Sequence, residues 1–324
     1  MTILVTGGLG FIGLNLREYY SHLNFPCILM SNDAPSEGIL KSLEKHHPNF
    51  EWVQGDVRSA KDLDHVCQQF KIKKIVNAAA ITAELAREIN HAKTIFEVNL
   101  LGSIEVFECA LRNQVEQVIQ LSSGSLFGYV GQHDPIIDEL TSPVLPETMY
   151  GISKLAAERV ALRYRKTRNL NVTVVRLGLV YGQWEYDTGV RDTLSLPLQL
   201  YWMAKQGKKA IVFHEVGTDY IYSKDVAQGL GSILQAGSSP EGLYHLSSAQ
   251  VWSLSTWLES LQKHFPDFSY EISEQREMCN VGLIGPLLRS PMSIDRIQRD
   301  FDYRPKFNQE QAFSDFITHH EEML

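Results

Sequence analysis

The stretch Thr2-Ile3-Leu4-Val5-Thr6-Gly7-Gly8-Leu9-Gly10-Phe11-Ile12-Gly13 decides the fold. Residues 2–6 are apolar and rich in β-branched side chains, the composition of a short buried strand. Glycines then break the run, and a helical pattern of Leu14, Leu16, Tyr19 and Tyr20 follows. Strand, glycine turn and helix in that order give a glycine motif structural meaning. Gly8, Gly10 and Gly13 fit G-x-G-x-x-G, whereas Gly7, Gly10 and Gly13 fit G-x-x-G-x-x-G. Either spacing lets backbone amides approach a pyrophosphate at a helix N-terminus.

Moving outward, Cys27-Ile28-Leu29-Met30 reads as a second strand that runs into Ser31-Asn32-Asp33. Dinucleotide folds usually carry an acid here for the adenosine ribose. With Ser31 in that place a 2′-phosphate is not repelled. With Asp33 there the site suits NAD, so the stretch leaves NAD or NADP open. Residues 50–57 read as a strand ending at Asp56-Val57, 61–70 as a helix, and Ile75–Ala80 as a buried strand opening into small residues with room for a flat ligand. Residues 94–112 read as one long helix and 115–121 as another strand. This alternation predicts an α/β fold, a doubly wound parallel sheet of Rossmann type. Ligands on such sheets gather at the C-terminal strand ends, here Gly7–Gly13, Asn77–Thr82 and Ser122–Ser125.

Pro146-Glu147-Thr148-Met149-Tyr150-Gly151-Ile152-Ser153-Lys154-Leu155-Ala156-Ala157-Glu158 is rich in helix formers from Tyr150 onward. Tyr150 and Lys154 are four apart and so share a helix face. A free phenol titrates near about 10, and lowering it to about 7 needs roughly 4 kcal/mol favouring the phenolate. An ammonium about 4 Å away in a partly buried site supplies on the order of that amount. The pair therefore suits proton transfer at a hydroxyl or carbonyl.

Taken together, Thr6–Gly13, Asp56-Val57, Asn77-Ala78-Ala79, Val98-Asn99, Ser122-Ser123-x-x-x-Phe127-Gly128, Tyr150-x-x-Ser153-Lys154 and Arg176-x-x-x-Val180-Tyr181-Gly182 stand in an order that resembles the extended short-chain dehydrogenase/reductases. That group comprises nucleotide-sugar epimerases, dehydratases and reductases. The resemblance implies a pyrophosphate turn at Gly7, Gly10 and Gly13, with Phe11 and Ile12 opening the helix. It places Ser31 or Asp33 at the ribose, Asp56 and Val57 at the adenine, and Ala78 and Ala79 beside the cofactor. Tyr150 resembles the acid/base, Lys154 its partner on the nicotinamide ribose, and Ser123 the donor to the substrate oxygen, with Ser125 a second candidate. Asn99 matches a family asparagine. A homodimer through helices 94–112 and 150–168 is also implied.

Two departures narrow the reading. Dehydratases of the group carry an Asp-Glu pair where this chain has Gly124 and Ser125. Thr218 stands where an arginine often binds the diphosphate, and Arg191 and Arg289 are the candidates to replace it. The expected domain plan is a dinucleotide-binding unit, 1–176 plus about 219–247, and a smaller C-terminal substrate-binding lobe, 177–218 and 248–324. In that lobe 194–206 reads as an amphipathic helix with Leu196, Leu200 and Met203. Trp184, Tyr186, Trp202, Trp252 and Trp257 are candidates to stack on a base or a ring, with core the default reading.

The chain has 324 residues, 30 basic against 38 acidic, for a net charge of −8. This argues against nucleic-acid binding through bulk charge. Cys27, Cys67, Cys109 and Cys279 are scattered, which suits buried free thiols rather than bridges or a zinc site. His46-His47 and His319-His320 are read as solvated pairs, since neighbours on a helix diverge by about 100°; no metal is expected. No apolar run approaches the roughly 20 residues of a membrane span, and residues 2–6 read as a strand rather than a signal peptide. A cytoplasmic location is expected. The sequence thus points to an NAD(P)-dependent epimerase or oxidoreductase working by hydride transfer at a secondary alcohol of a sugar or nucleotide sugar. The alternatives are a dehydrogenase or reductase of a non-nucleotide polyol, uronate or ketone, and a non-catalytic dinucleotide-binding regulatory protein.

Overall fold

A computed structural model describes residues 2–23, 25–35, 37–46, 50–129, 135–214, 219–282 and 289–322. Thr218 and His47 lie outside the described residues, as does the side chain of His46. The strands are β1 (Thr2–Thr6), β2 (Cys27–Ser31), β3 (Glu51–Gln54), β4 (Ile72–Asn77), β5 (Gln117–Ser123), β6 (Val172–Leu177), β7 (Leu179–Tyr181), β8 (Lys209–Phe213), β9 (Tyr220–Tyr222), β10 (Leu243–Leu246) and β11 (Ser269–Ser273). The helices are α1 (Phe11–His22), α2 (Glu37–His46), α3 (Ala60–Gln69), α4 (Leu85–Phe96), α5 (Ser103–Arg112), α6 (Met149–Arg168), α7 (Leu196–Lys205), α8 (Ser223–Ala236), α9 (Leu254–His264), α10 (Asp295–Phe301) and α11 (Gln309–Glu322).

Seven strands form one parallel sheet in the order β10-β6-β5-β4-β1-β2-β3. The central strands are buried on both faces, as helices on both sides of a parallel sheet require. One core holds Ile3, Val5, Leu14, Tyr20 and Leu230, the other Leu4, Ile28, Val106 and Val118. The chain order reverses between β1 and β4, and a crevice opens at such a switch point.

Residues 94–112 are helical but not one helix. The backbone bends at His91 (φ −138°) in α4 and widens into a π-helical segment, Glu97–Gly102, before α5. Beyond β6 the chain builds two small parallel pairs, β7 with β9 and β8 with β11. These lie around a third core where Tyr181, Leu196, Leu200, Tyr201, Trp252, Trp257 and Phe316 meet. Met203 and Trp202 pack partly buried at its edge. Trp257 is in edge contact with Tyr181, Phe313 and Phe316, so its ring fills core as expected.

The reading of His319-His320 as solvated surface is corrected. His320 is buried, stacks on Phe316 at 4.0 Å and is held as neutral imidazole by burial, its pKa lowered to about 4. His319 Nε2 accepts the Trp184 backbone N–H at 3.1 Å. An aromatic surrounding on the inner face of α11 outweighs the polarity of its sequence neighbours.

Candidate active site

A cavity of about 1170 Å³ opens over the C-terminal ends of β1, β2, β4, β5 and β6. Its floor is the glycine turn. Gly7 has φ +63°, and a Cβ there would stand 2.8 Å from the Ala79 Cα. A Cβ on Gly13 would lie 2.2 Å from the Gly8 carbonyl oxygen, so α1 is seated directly on the turn. The Gly10 N–H donates to the Gly7 carbonyl at 2.9 Å, and Gly10 caps α1. Phe11 and Ile12 open the helix and line the cavity.

Behind the floor, buried amides tie three strand ends together. Thr6 Oγ1 donates to Asn77 Oδ1 at 2.6 Å, and Asn77 Nδ2 donates to Gln120 Oε1 at 2.7 Å and Ser103 Oγ at 3.1 Å. The Ala78 N–H donates to the Thr6 carbonyl at 3.2 Å, which fixes Ala78 and Ala79 as cavity wall. Ser31 ends β2, with Asn32 and Asp33 following it along the wall. Asn32 Nδ2 donates to Asp33 Oδ2 at 2.8 Å. Asp56 is gripped by Arg58, Nη2 to Oδ2 at 2.5 Å, which holds its carboxyl below the usual range. Arg58 and Val57 line the same end. Arg58 was not singled out from sequence, although it stands two residues after the acid.

On the other wall Thr148 caps α6, its hydroxyl accepting the Gly151 N–H at 3.0 Å. Tyr150 therefore sits in the first helical turn, where the helix dipole favours an anion. Ser123 and Thr82 share the cavity wall with its phenol. Burial raises its pKa above the ordinary value, and the Ser123 and Thr82 hydrogen bonds and the Arg191 charge pull it down. Lys154 is itself 3% exposed, and burial brings its pKa down to about 8. Ser123 Oγ also accepts the Ser125 N–H at 3.1 Å.

Asn99 holds these parts in register. Its side chain accepts from the Ile81 N–H at 2.8 Å and donates to the Ile81 carbonyl at 3.0 Å and Ser153 Oγ at 2.9 Å. Ser153 in turn donates to the Tyr150 carbonyl at 2.7 Å. A deeper anchor is Glu158, which takes Arg176 bidentately at 2.7 and 2.9 Å with both side chains buried, and also accepts from Ser122 at 3.1 Å.

Residues 186–192 cross the cavity as a strap. At one side Tyr186 donates to the Leu9 carbonyl and Arg191 stands 5.5 Å over the Phe11 ring. At the other, Thr82 N–H donates to the Val190 carbonyl at 2.9 Å, Glu84 N–H to Asp192 at 2.8 Å, and Arg87 to Asp192 at 2.6 Å. Tyr186 is thus a wall of the cavity as well as a packing residue. Arg191 and Arg289 both line the cavity, and each is paired internally, to Glu185 at 2.8 Å and to Asp219 at 2.6 Å. No spacing in the sequence announces those partners.

A dinucleotide-binding turn with a Tyr/Lys/Ser wall at the switch point of a parallel sheet defines a nicotinamide-dependent short-chain dehydrogenase/reductase fold. Residues 3–246 match the NAD dependent epimerase/dehydratase family, and the chain belongs to it. It is similar to the low-salt glycan biosynthesis protein Agl12 of Haloferax volcanii, 25% identical over 252 residues, 76% of this chain and 77% of that one. It is also similar to a putative UDP-glucose 4-epimerase of Methanocaldococcus jannaschii, 25% identical over 228 residues, 70% of this chain and 71% of the other. The fold superposes on the UDP-glucose 4-epimerase of Thermus thermophilus in complex with NAD, with a TM-score of 0.81, 21% identity and 100% of both chains covered. The protein is an NAD-dependent enzyme of the extended short-chain dehydrogenase/reductase type, and the open choice of cofactor closes on NAD. The crevice fits the group: glycines where any side chain would clash, alanines on the wall and a buried ammonium at its inner end.

Proposed function

We propose that the protein is an epimerase acting at a secondary alcohol of a nucleotide sugar. The observation that carries this is the meeting of Tyr150 with Ser123 and Thr82 on one wall of a cavity floored by the glycine turn. Bound NAD supplies the hydride acceptor and donor. Gly7, Gly10, Phe11, Ile12 and Gly13 would hold its pyrophosphate, Ser31 or Asp33 the adenosine ribose, Asp56 and Val57 the adenine, Ala78 and Ala79 its flank, and Lys154 the second ribose. Tyr150 would take the substrate hydroxyl proton as that carbon gives up its hydride to the cofactor, and would return the proton to the same oxygen when the hydride adds to the other face of the turned ketone. Ser123 donates to the same oxygen throughout.

The strap favours epimerisation over net dehydrogenation. A cofactor fastened beneath 186–192 suits a cycle that regenerates it in place. Dehydratase chemistry is disfavoured because Gly124 and Ser125 offer no carboxyl. Arg191 and Arg289 are the guanidinium candidates on the substrate side. The internal pairing of both keeps a second reading, an oxidoreductase of a non-nucleotide polyol, uronate or ketone. The substrate lobe is taken as 177–218 and 248–324, with Ile294, Ile297 and Tyr303 reaching back into the sheet's core. Exposed Leu85, Ile89, Leu101 and Ile152 along α4, the π segment and α6 support a homodimer through that face. None of the described helices is long and apolar enough to cross a membrane, and a cytoplasmic enzyme is the reading adopted.

The test is mass spectrometry of the protein under non-denaturing conditions, then incubation with UDP-sugars. Retained NAD and stereochemical conversion without net cofactor reduction are expected. Accumulated reduced cofactor would replace the epimerase by a dehydrogenase.

A further inference from the structure

All four cysteines of the chain are free thiols, and two of them meet. Cys67 stands in the last turns of α3 and Cys109 near the end of α5, on helices that pack together against one face of the sheet. Their sulfurs lie 3.5 Å apart, in hydrogen-bond contact. An S–S bond asks them to close by about 1.5 Å more. The core around them is otherwise carbon, with Leu63, Val66, Val106, Phe107 and Ala110.

Solvent is one layer away. Cys67 is 4% exposed, whereas Cys109 is fully enclosed. Asn113 Nδ2 donates to the Cys109 sulfur at 3.4 Å and to Asp64 at 2.6 Å, and Asp64 accepts from Arg112 at 3.0 Å. Asp64 and Arg112 are partly exposed, so polar side chains border the sulfurs on the outer side. The hydrogen bond from Cys109 holds the Cys67 thiol below its usual range, and the same bond together with burial holds Cys109 above it. The roles are thereby divided: Cys67, nearer water and more readily ionised, is the nucleophile, and Cys109 is the thiol behind it. Neither belongs to the described lining of the cavity. Among the described residues no group of three His, Cys, Asp or Glu side chains is placed to hold a metal ion, so a metal does not account for the meeting.

We propose that Cys67 and Cys109 form an oxidation site for peroxides, closing into a disulfide that ties α3 to α5 and reopening with a dithiol. The Cys67 thiolate attacks one oxygen of hydrogen peroxide and the O–O bond breaks. The other oxygen leaves as hydroxide and takes up the proton that Cys67 released, giving water. Cys67 is then a sulfenic acid. The Cys109 sulfur attacks the Cys67 sulfur, the S–O bond breaks, and the departing hydroxide leaves with the Cys109 proton as a second water. The two thiols give up two electrons and the peroxide takes them. The bond joins residues 42 apart in sequence. Closing a loop of that length restricts the unfolded chain, so oxidation here raises stability.

The test treats the full-length protein with hydrogen peroxide and maps its cysteines by mass spectrometry without reduction. A peptide linking residues 67 and 109 is expected, about 2 Da lighter than its reduced parts and absent after dithiothreitol. Cys279, partly exposed, is the internal comparison. A dose that oxidises Cys279 and leaves Cys67 and Cys109 as thiols overturns the site. Cys67 driven to sulfinic acid with Cys109 untouched overturns the pairing. Thermal unfolding is then read in a Cys279→Ser protein, where only buried thiols remain. Its midpoint should rise by about 5 °C on oxidation, and adding Cys109→Ser should abolish the rise. A midpoint that stays or falls as the bond forms overturns the tie between the helices.

Discussion

The cofactor half and the substrate half of this cavity are built in opposite ways. Around the dinucleotide turn, backbone and small side chains make the surface. Gly7 and Gly13 leave no space for a Cβ, Ala78 and Ala79 form the wall, and the polar ties run between adjacent strand ends. On the substrate side, long charged side chains make the surface, each fixed by an internal partner: Arg289 by Asp219 and Arg191 by Glu185. A site made of backbone geometry tolerates almost no substitution. A site made of paired side chains can be retuned by changing one pair. The catalytic wall stands between them, taking Tyr150 from a helix, Ser123 from the end of β5 and Thr82 from the loop after β4.

The sharpest way to break this comparison is at that wall. Tyr150→Phe removes only the phenolic oxygen, and general acid–base groups contribute about 10²–10⁴ to rate. Turnover of a UDP-sugar should fall by about 10³ or more while NAD affinity stays near that of the parent. Near-normal turnover by this variant would end the assignment of residue 150.

Next comes the anchor beneath the wall. Glu158 and Arg176 are both fully buried and doubly hydrogen-bonded. Removing one partner strands the other charge, a loss of about 3–5 kcal/mol. Glu158→Ala should lower the urea midpoint accordingly, while Glu158→Ala with Arg176→Met should recover much of the loss. If the single change costs no more than the double, the pair does not hold α6 against β6.

Much of this was legible in advance, and the reason is local. A strand that breaks into glycines before a helix is a short-range pattern, and so is a tyrosine four residues before a lysine. Backbone sterics and helix periodicity impose both without reference to the rest of the fold. Thr82 was not legible as a partner of Tyr150, because the two meet only after β4 and α6 pack. Sequence spacing puts Lys154 on the face of α6 that carries Tyr150, but its burial, which brings its pKa down to about 8, comes only with packing. His320 was misread because its burial comes from Phe316 and Tyr201 rather than from its own polar neighbourhood.

A smaller effect sharpens the role of Lys154. Its ammonium is the dominant form below about 8 and is lost as pH rises through that value. NAD affinity should therefore weaken by several-fold between about pH 7 and about pH 9, and Lys154→Met should flatten the profile. The stability of the cofactor-free chain should move the other way. Between about 8 and about 10.4 the unfolded chain keeps a proton that the folded one has released, so folding gains with pH there. Calorimetric NAD titration and thermal unfolding across that range measure the two slopes. A pH-independent NAD affinity in the unaltered protein would remove the ammonium from the cofactor site.

The smallest change tests the strap that joins the two halves. Arg87 lies outside the reacting wall, partly exposed, and holds Asp192 at 2.6 Å and the Gly189 carbonyl at 2.8 Å. An exposed ion pair contributes about 0–1 kcal/mol to folding, so Arg87→Ala should leave thermal stability almost unchanged. Its consequence should appear in kinetics instead. Residues 186–192 would stay fastened at Tyr186 and Leu9 but loosen at Asp192 and Glu84. NAD chased by excess competitor should then leave several-fold faster, since gating by a loop acts on release rather than on the chemical step. An unchanged release rate in a variant of normal stability would mean that the cofactor is retained by the glycine turn alone, and that the strap belongs wholly to the substrate side.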